Sequence, residues 1–375
     1  MTDKLTVIFA ANRGYALTSS REGLIRHFIA HGWNVVLVTE DDTEARQLCS
    51  LGAGLEPVVF NRGGLSLRSD MTAYRKLCSV YRRWRPALIQ HFHAKPVILG
   101  SLAAQRVTNG KTMVVNTITG LGHAFVAGGI SSHLAGMGYR VALPKTNACI
   151  FQNSDDQALF WGKKWISRQK AHLIAGSGVD IRRFASVGRS GRGHDAPVVV
   201  MLGRLLNQKG IPEFVEVSRR IRKVFPKARF VWAGEEDPVH PDAVSGTWLQ
   251  AQDGVDYTGR FSDVLPLLAE ADLLLFPSYR EGVPRVIMEA AATCLPTVAF
   301  DVPGVREVVQ NEKTGYLVED RNVDAMTGKV EKLLKDEKLR LRMGQAARNM
   351  VEQTFDVRAV QEKYLQVYRE LGLNI

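Results

Sequence analysis

The sequence predicts an α/β protein of two doubly wound domains. Short β-branched, apolar runs alternate with stretches of helical periodicity along nearly the whole chain. The alternation is interrupted once, near the middle, by a segment without apolar periodicity. The length, 375 residues, is about twice that of a typical domain. In the first half the strand-like runs are 5–10, 33–38, 87–91, 112–115 and 148–151. A loop through Arg13 and Gly14 follows the first run, then an amphipathic helix over 20–30. Each run is separated from the next by enough chain for a helical crossover, the connection a parallel sheet requires. The interruption is the Gly/Ser/Arg-rich stretch 185–193, so the domains are expected at 1–187 and 188–375. The rhythm restarts with 198–202, 229–234, 272–276 and 296–300. Beyond residue 330 helix formers dominate, with Leu333, Leu334, Leu341, Met343, Val357, Tyr364, Leu365 and Tyr368 at helical spacings. These helices cap the fold, and the last is expected to pack back on the first domain.

Composition narrows the class. Hydrophobic residues make up 45% and charged residues 23%, which excludes collagenous and largely disordered chains. No apolar run approaches the ~18 residues of a membrane-spanning helix. Met1 leads directly into a strand-like segment without the features of a secretory signal, so a cytoplasmic location is expected. Cys49, Cys78, Cys149 and Cys294 form no CxxC pair, which argues for free thiols rather than disulfides or a thiolate zinc site. The net charge of +11 is concentrated: residues 1–187 hold 23 Lys+Arg against 11 Asp+Glu, the remainder 26 against 27. A basic half suggests an anionic partner, whether nucleic acid, membrane or phosphorylated substrate; a merely solvating surface is the plainer alternative.

Ligands of open α/β sheets bind beyond the carboxyl ends of strands, so the loops there hold the candidate chemistry. After the run 198–202 comes Gly203-Arg204-Leu205-Leu206-Asn207-Gln208-Lys209-Gly210. Arg204 as a planar fork and Lys209 as a point charge suit a diphosphate; alone, the segment also fits an exposed basic turn opening a helix. It lacks the Gly-x4-Gly-Lys-Ser/Thr pattern of a Walker loop. After the run 272–276 comes Pro277-Ser278-Tyr279-Arg280-Glu281-Gly282-Val283-Pro284-Arg285-Val286-Ile287-Met288-Glu289. Pro284 suits a first helical turn whose free N–H groups meet an anion or a hydroxyl-rich ligand. Glu281 and Glu289 are at most ~12 Å apart along a helix axis, a span that brackets the ends of a sugar diphosphate. A helix N-terminus with one solvated glutamate is the alternative for this motif alone.

Taken together, these motifs resemble the family 4 retaining glycosyltransferases of the GT-B fold. The resemblance also rests on Gly176-Ser177-Gly178-Val179-Asp180, on Asp301-Val302-Pro303-Gly304-Val305-Arg306-Glu307-Val308 and on Thr314-Gly315-Tyr316-Leu317-Val318. Asn116-Thr117-Ile118-Thr119-Gly120-Leu121-Gly122-His123 and His91-Phe92-His93-Ala94-Lys95-Pro96 make the chain most similar to bacterial enzymes of capsule, O-antigen and other lipid-linked glycans. The fold implied is two Rossmann-like domains facing a cleft, the first binding the acceptor and the second the nucleotide sugar. The reaction implied is transfer of a sugar from a nucleotide diphosphate sugar, UDP-linked by family habit, to a glycan or polyprenyl-diphosphate-linked acceptor.

The resemblance implies that Arg204 and Lys209 neutralise the donor diphosphate and stabilise the leaving nucleotide. Glu281 would hold sugar hydroxyls beside the backbone of Gly282, Val283 and Pro284, with Val286 packed nearby, and Glu289 would accept from the ribose. The base would rest near Gly259, Arg260 and Phe261. His123 would face the transferred sugar, its alternative being a loop histidine without a catalytic part. No cofactor is implied. No DxD triplet occurs, and the two cations supply the charge of a magnesium ion, so metal-independent catalysis is expected. Where many relatives carry two glycines after the first strand, residues 11–15 carry one, leaving Gly14 as the candidate phosphate contact. The absence of Gly-x-Gly-x-x-Gly there argues against a dinucleotide-binding dehydrogenase.

A basic helix with Met71, Tyr74, Leu77, Cys78, Tyr81 and Trp84 on one face and Arg75, Lys76, Arg82, Arg83 and Arg85 between them has two readings: packing against the first sheet, or resting on an anionic membrane. With the charge asymmetry it gives an expected peripheral location at the inner face of the plasma membrane. Two rival functions remain. A sugar-nucleotide epimerase or hydrolase shares the donor site but needs no acceptor. A nucleic-acid binder would use the basic half, but no recognition helix, zinc module or RNP-like strand supports it.

Overall fold

The computed structural model describes residues 4–61, 66–121, 129–184, 196–261 and 263–375. The chain forms two compact units, one of residues 1–177 with 357–375 and one of residues 178–356. The division falls ten residues before the boundary expected at 187/188. Val179 explains it: its N–H donates to the Phe355 carbonyl at 2.8 Å, and Arg348 Nη2 donates to the Ile181 carbonyl at 3.0 Å. Residues 179–184 are thereby tied to the second unit, while the Gly/Ser/Arg-rich stretch lies outside the described residues.

The first unit contains β1 (Thr6–Ala10), β2 (Asn34–Thr39), β3 (Gly54–Pro57), β4 (Leu88–Phe92), β5 (Met113–Ile118), β6 (Ala148–Phe151) and β7 (Ala171–Leu173). They make a parallel sheet in the order β3-β2-β1-β4-β5-β6-β7. The central strands are apolar on both faces because helices cover both, so alternate residues enter different cores. Val7, Phe9, Val35 and Leu37 pack with Leu24, Phe28 and the last helix; Ile8, Ala10, Val36 and Val38 pack with Leu77, Val80 and Tyr81. β3 and β7, which the hydropathy pattern does not predict, are edge strands of four and three residues, too short and too polar to register as apolar runs.

The helices of this unit are α1 (Gly14–Ala30), α2 (Thr43–Cys49), α3 (Leu67–Trp84), α4 (Ala94–Val107), α5 (Gly129–Ala142), α6 (Ser154–Gly162) and the last helix of the chain. Of the two readings for the basic helix, α3 takes core packing: Ala73, Leu77, Cys78, Val80 and Tyr81 are buried, and Trp84 Nε1 donates to Glu56 at 2.7 Å. Asn116 and His91 belong to a buried polar cluster. Asn116 Oδ1 lies 2.8 Å from His91 Nδ1, and the Tyr81 hydroxyl lies 2.9 Å from His91 Nε2. Gly100 admits this arrangement, since a Cβ there would stand 2.2 Å from His91 Nε2.

The second unit contains β8 (Val198–Leu202), β9 (Arg229–Ala233), β10 (Val255–Tyr257), β11 (Leu273–Phe276), β12 (Thr297–Phe300) and β13 (Gly315–Val318), parallel in the order β10-β9-β8-β11-β12-β13. Its helices are α7 (Ile211–Val224), α8 (Gly246–Gln250), α9 (Leu265–Glu270), α10 (Arg285–Ala292), α11 (Val323–Lys335) and α12 (Glu337–Thr354). The last helix, α13 (Val357–Glu370), packs in the first unit. Val360, Tyr364, Leu365, Val367 and Tyr368 face its core. Gly23 lets α1 approach, because a Cβ there would meet Gln361 at 1.9 Å. The Tyr368 hydroxyl donates to Gln90 Oε1 at 2.8 Å, and the buried Arg21 guanidinium lies between the rings of Phe92 (4.8 Å) and Tyr364 (4.6 Å). Tyrosine at 364 and 368 therefore supplies polar ends to match a polar patch of the sheet.

Candidate active site

In the second unit the chain runs outward from β8 to β9 and β10, then returns to the other side of β8 with β11. The strand order reverses between β8 and β11, the position at which open α/β sheets bind ligands. The two motif-bearing loops leave these two neighbouring strands.

The β8 loop is fixed from beneath. Trp232 Nε1 donates to the Gly203 carbonyl at 2.9 Å, and a Cβ on Gly234 would stand 1.9 Å from that oxygen. Leu205 N–H donates to the Glu235 carbonyl at 3.1 Å and Val244 N–H to the Leu205 carbonyl at 3.0 Å, so the loop after β9 straps the loop after β8. Arg204 Nη1 donates to Asp237 Oδ2 at 2.5 Å; the Arg204 side chain is 39% exposed and that of Asp237 only 7%. The guanidinium thus rests on a buried carboxylate while part of its fork faces outward.

A short 3-10 turn, Asn207–Lys209, follows. Gly210 then turns the chain into α7 at φ 76°, with the Pro277 carbonyl 2.0 Å from where a Cβ would be. Only glycine combines that left-handed backbone with so close an approach. Gly210→Ala is therefore expected to destabilise the second unit by about 1–3 kcal/mol, which thermal denaturation checks.

The β11 loop closes over this turn. Tyr279 N–H donates to the Gln208 carbonyl at 3.0 Å, and Ser278 Oγ donates to Glu281 Oε1 at 2.6 Å. The same Glu281 oxygen lies 2.5 Å from Lys209 Nζ. The Tyr279 hydroxyl donates to Glu213 at 2.7 Å, and burial with this carboxylate beside it raises the phenol above its usual range. One cation and one carboxylate from two strands therefore meet on loops that are each hydrogen-bonded to the other.

Glu289, in the second turn of α10, is 8% exposed. Burial raises its carboxyl above the ordinary range, opposed by Arg285, whose Nε donates to Oε1 at 2.7 Å. Gly282 is approached by the turn after β12, where a Cβ on Gly304, at φ 81°, would lie 1.9 Å from the Gly282 carbonyl. Val283 and Pro284 are buried and Val286 is half-buried. After β10, Gly259 at φ 72° accepts from Gly234 N–H at 2.8 Å, and Phe261 is exposed. Arg204, Lys209, 259–261, 281–284, Val286 and Glu289 thus come from loops and a helix start at one end of a single sheet.

Gly14 belongs to the first unit. It is buried there, and its amide donates to Asp42 Oδ2 at 2.8 Å. A Cβ would lie 2.1 Å from Asp42 Oδ1, so Gly14 lets α1 meet the N-terminus of α2. The amide expected to meet a donor phosphate is bonded to a carboxylate in this structure. His123 lies outside the described residues. Sequence reasoning missed Asp237, Ser278 and Arg285, the groups that hold Arg204, Glu281 and Glu289. Arg285 was discoverable from its i,i+4 spacing to Glu289; Asp237 and Ser278 carry no comparable signal.

Residues 184–350 match the family described as Glycosyl transferases group 1. The chain is 25% identical over 98% of its length, and 99% of the relative's, to the N,N'-diacetylbacillosaminyl-diphospho-undecaprenol alpha-1,3-N-acetylgalactosaminyltransferase of Campylobacter jejuni. It is 24% identical, over 83% of its own length and 82% of the other, to the UDP-Gal:alpha-D-GlcNAc-diphosphoundecaprenol alpha-1,3-galactosyltransferase of Escherichia coli. Among solved structures, Anabaena HepE in complex with UDP and glucose superposes with a TM-score of 0.74 at 17% identity, covering 98% of this chain and all of that one. The two parallel sheets and the solved neighbours give the chain the GT-B fold, the match over 184–350 places that segment in the glycosyl transferases group 1 family, and the relatives make the chain similar to the bacterial glycosyltransferases of capsule and lipid-linked glycan synthesis.

Proposed function

We propose that the protein is a retaining enzyme that transfers a sugar from a UDP-sugar to a polyprenyl-diphosphate-linked glycan at the membrane surface. The observation that carries this reading is the convergence of Arg204 and Lys209 with Glu281 at the strand reversal between β8 and β11. Similarity over 98% and 83% of the chain to two enzymes whose names specify undecaprenyl-diphosphate acceptors supports the acceptor class, and the likeness to a UDP-bound structure supports the nucleotide. In this reading the second unit binds the donor and the first the acceptor.

The residues divide the work by charge. Both cations face carboxylates, Arg204 against Asp237 and Lys209 against Glu281. A diphosphate entering between them offers more negative charge than either carboxylate and draws both side chains toward it. As the bond from the anomeric carbon to the diphosphate oxygen breaks, charge accumulates on that oxygen, and Arg204 and Lys209 stabilise it. The acceptor hydroxyl attacks from the same face, its proton passing to the departing phosphate oxygen as the new glycosidic bond forms. Glu281, held by Ser278, accepts from the sugar hydroxyls, and Glu289, held by Arg285, accepts from the ribose.

Two cations at the diphosphate make a divalent ion dispensable in this scheme. Transfer is expected to continue undiminished in excess EDTA, followed by UDP release; an obligate requirement for Mg²⁺ or Mn²⁺ would contradict it. Donor incubated alone and with acceptor separates transfer from epimerisation or hydrolysis.

A further inference from the structure

Arg285 stands where a cation helps a helix least. It opens α10 directly after Pro284, and no acidic residue shares that first turn. A positive side chain there meets the positive end of the helix dipole. Its partner, Glu289, lies four residues later, and an ion pair at this spacing is weaker when the cation is on the N-terminal side. Both side chains are largely withdrawn from water, at 25% and 11% exposed. A pair so placed is a poor source of stability, because each charge gives up its hydration to form it. Helix stability therefore does not account for an arginine at 285.

The pair leaves one side of the carboxylate open. Arg285 Nε donates to Glu289 Oε1 at 2.7 Å, while Oε2 has no hydrogen bond among the described residues. The other charges that act on Glu289 are Arg183, which follows the crossover into the second unit, and Asp263, which precedes α9. These two are paired with each other, Arg183 Nη2 donating to Asp263 Oδ1 at 3.0 Å, and their effects on Glu289 oppose one another. Arg285 is thus the cation in contact with Glu289 and the main counterweight to burial, which favours the neutral acid. Without the guanidinium, the carboxyl group would hold its proton to higher pH.

We propose that Arg285 is a positioning residue for the donor nucleotide: by pairing with Oε1 it keeps Glu289 a carboxylate whose Oε2 accepts from the ribose. The inference rests on the reading that Glu289 meets the ribose. A neutral acid is the weaker acceptor, and its own O–H would have to turn away from the ribose hydroxyls. Arg285 thereby holds nucleotide affinity steady across the neutral pH range.

The test is calorimetric titration of the full chain with UDP and with inorganic pyrophosphate, from about pH 8.5 to about pH 6. Each variant is compared with wild type at the same pH, so that ionisation of the ligand cancels. Arg285→Gln is expected to bind UDP nearly as wild type does at the alkaline end and about 10-fold more weakly at the acid end. Its affinity for pyrophosphate, which has no ribose, should follow wild type throughout. Arg285→Lys retains the cation and should follow wild type with both ligands. Glu289→Gln should bind UDP more weakly by a factor that does not change with pH. A loss in Arg285→Gln that is the same at every pH, an equal loss with pyrophosphate, or a pH-dependent loss in Arg285→Lys as large as in Arg285→Gln would overturn the proposal. Unchanged UDP affinity in Glu289→Gln would overturn the ribose contact and this inference with it. A weakened Glu289→Gln beside an Arg285→Gln that parallels wild type would overturn the inference alone.

Discussion

Alanine at Arg204 or at Lys209 is expected to slow sugar transfer by about 10²- to 10³-fold, the range found when one preorganised donor to a developing charge is removed. The two losses differ in what they leave behind. Without Arg204, Asp237 remains buried without this guanidinium, a carboxylate beside the proposed phosphate position. Without Lys209, Glu281 keeps the Ser278 hydroxyl, so the proposed sugar contacts should survive better than the proposed phosphate contact. In the proposed reading both cations serve one diphosphate, so the double variant should fall short of the product of the single effects. Arg204→Lys should restore little, since an ammonium lacks the fork that can meet Asp237 and a phosphate together. Steady-state kinetics with circular dichroism on each variant checks this. Transfer within a few-fold of wild type in folded Arg204→Ala would remove the guanidinium from the mechanism.

Acidification is expected to destabilise the first unit through His91. Burial lowers its imidazole to about 4, and the hydrogen bond with Asn116 only partly opposes the shift. The neutral ring fits its surroundings, Nδ1–H donating to Asn116 Oδ1 while Nε2 accepts from the Tyr81 hydroxyl. An unfolded chain protonates this residue near 6.5. The folded-state value is depressed, so the stability is complete above pH 6.5 and is lost as pH falls toward 4. The loss approaches about 3 kcal/mol at the lower end. His91→Gln should be less stable at neutral pH yet show a flatter dependence of Tm on pH between 6.5 and 4.5. Equal slopes in wild type and variant would assign the acid sensitivity to other groups.

The legibility of the fold followed burial. Strands covered on both faces, such as β1 and β8, appear as unbroken apolar runs, and the two domains follow from their alternation with helices. Edge strands β3, β7 and β10 contain Glu56, His172 and Asp256 and leave no such run. α13 was placed correctly as a helix, but its Tyr hydroxyls find Gln90 and the Thr117 hydroxyl only once the sheet exists. In the site, Arg204, Lys209, Glu281 and Glu289 were visible because glycines and strand exits frame them. Their holders, Asp237 and Ser278, were not, because a lone Asp or Ser in a polar loop has no periodicity and acquires meaning only through distance. His91 shows the converse: a residue within a motif of the resemblance proves to be a buried hydrogen-bonding group of the core.

The most direct test is a crystal structure with UDP bound. The diphosphate is expected at the strand reversal between β8 and β11, its oxygens about 2.7–2.9 Å from the Arg204 guanidinium and the Lys209 ammonium, with the ribose at Glu289. A diphosphate bound at another edge of the sheet, with Arg204 still on Asp237 and Lys209 still on Glu281, would contradict the account.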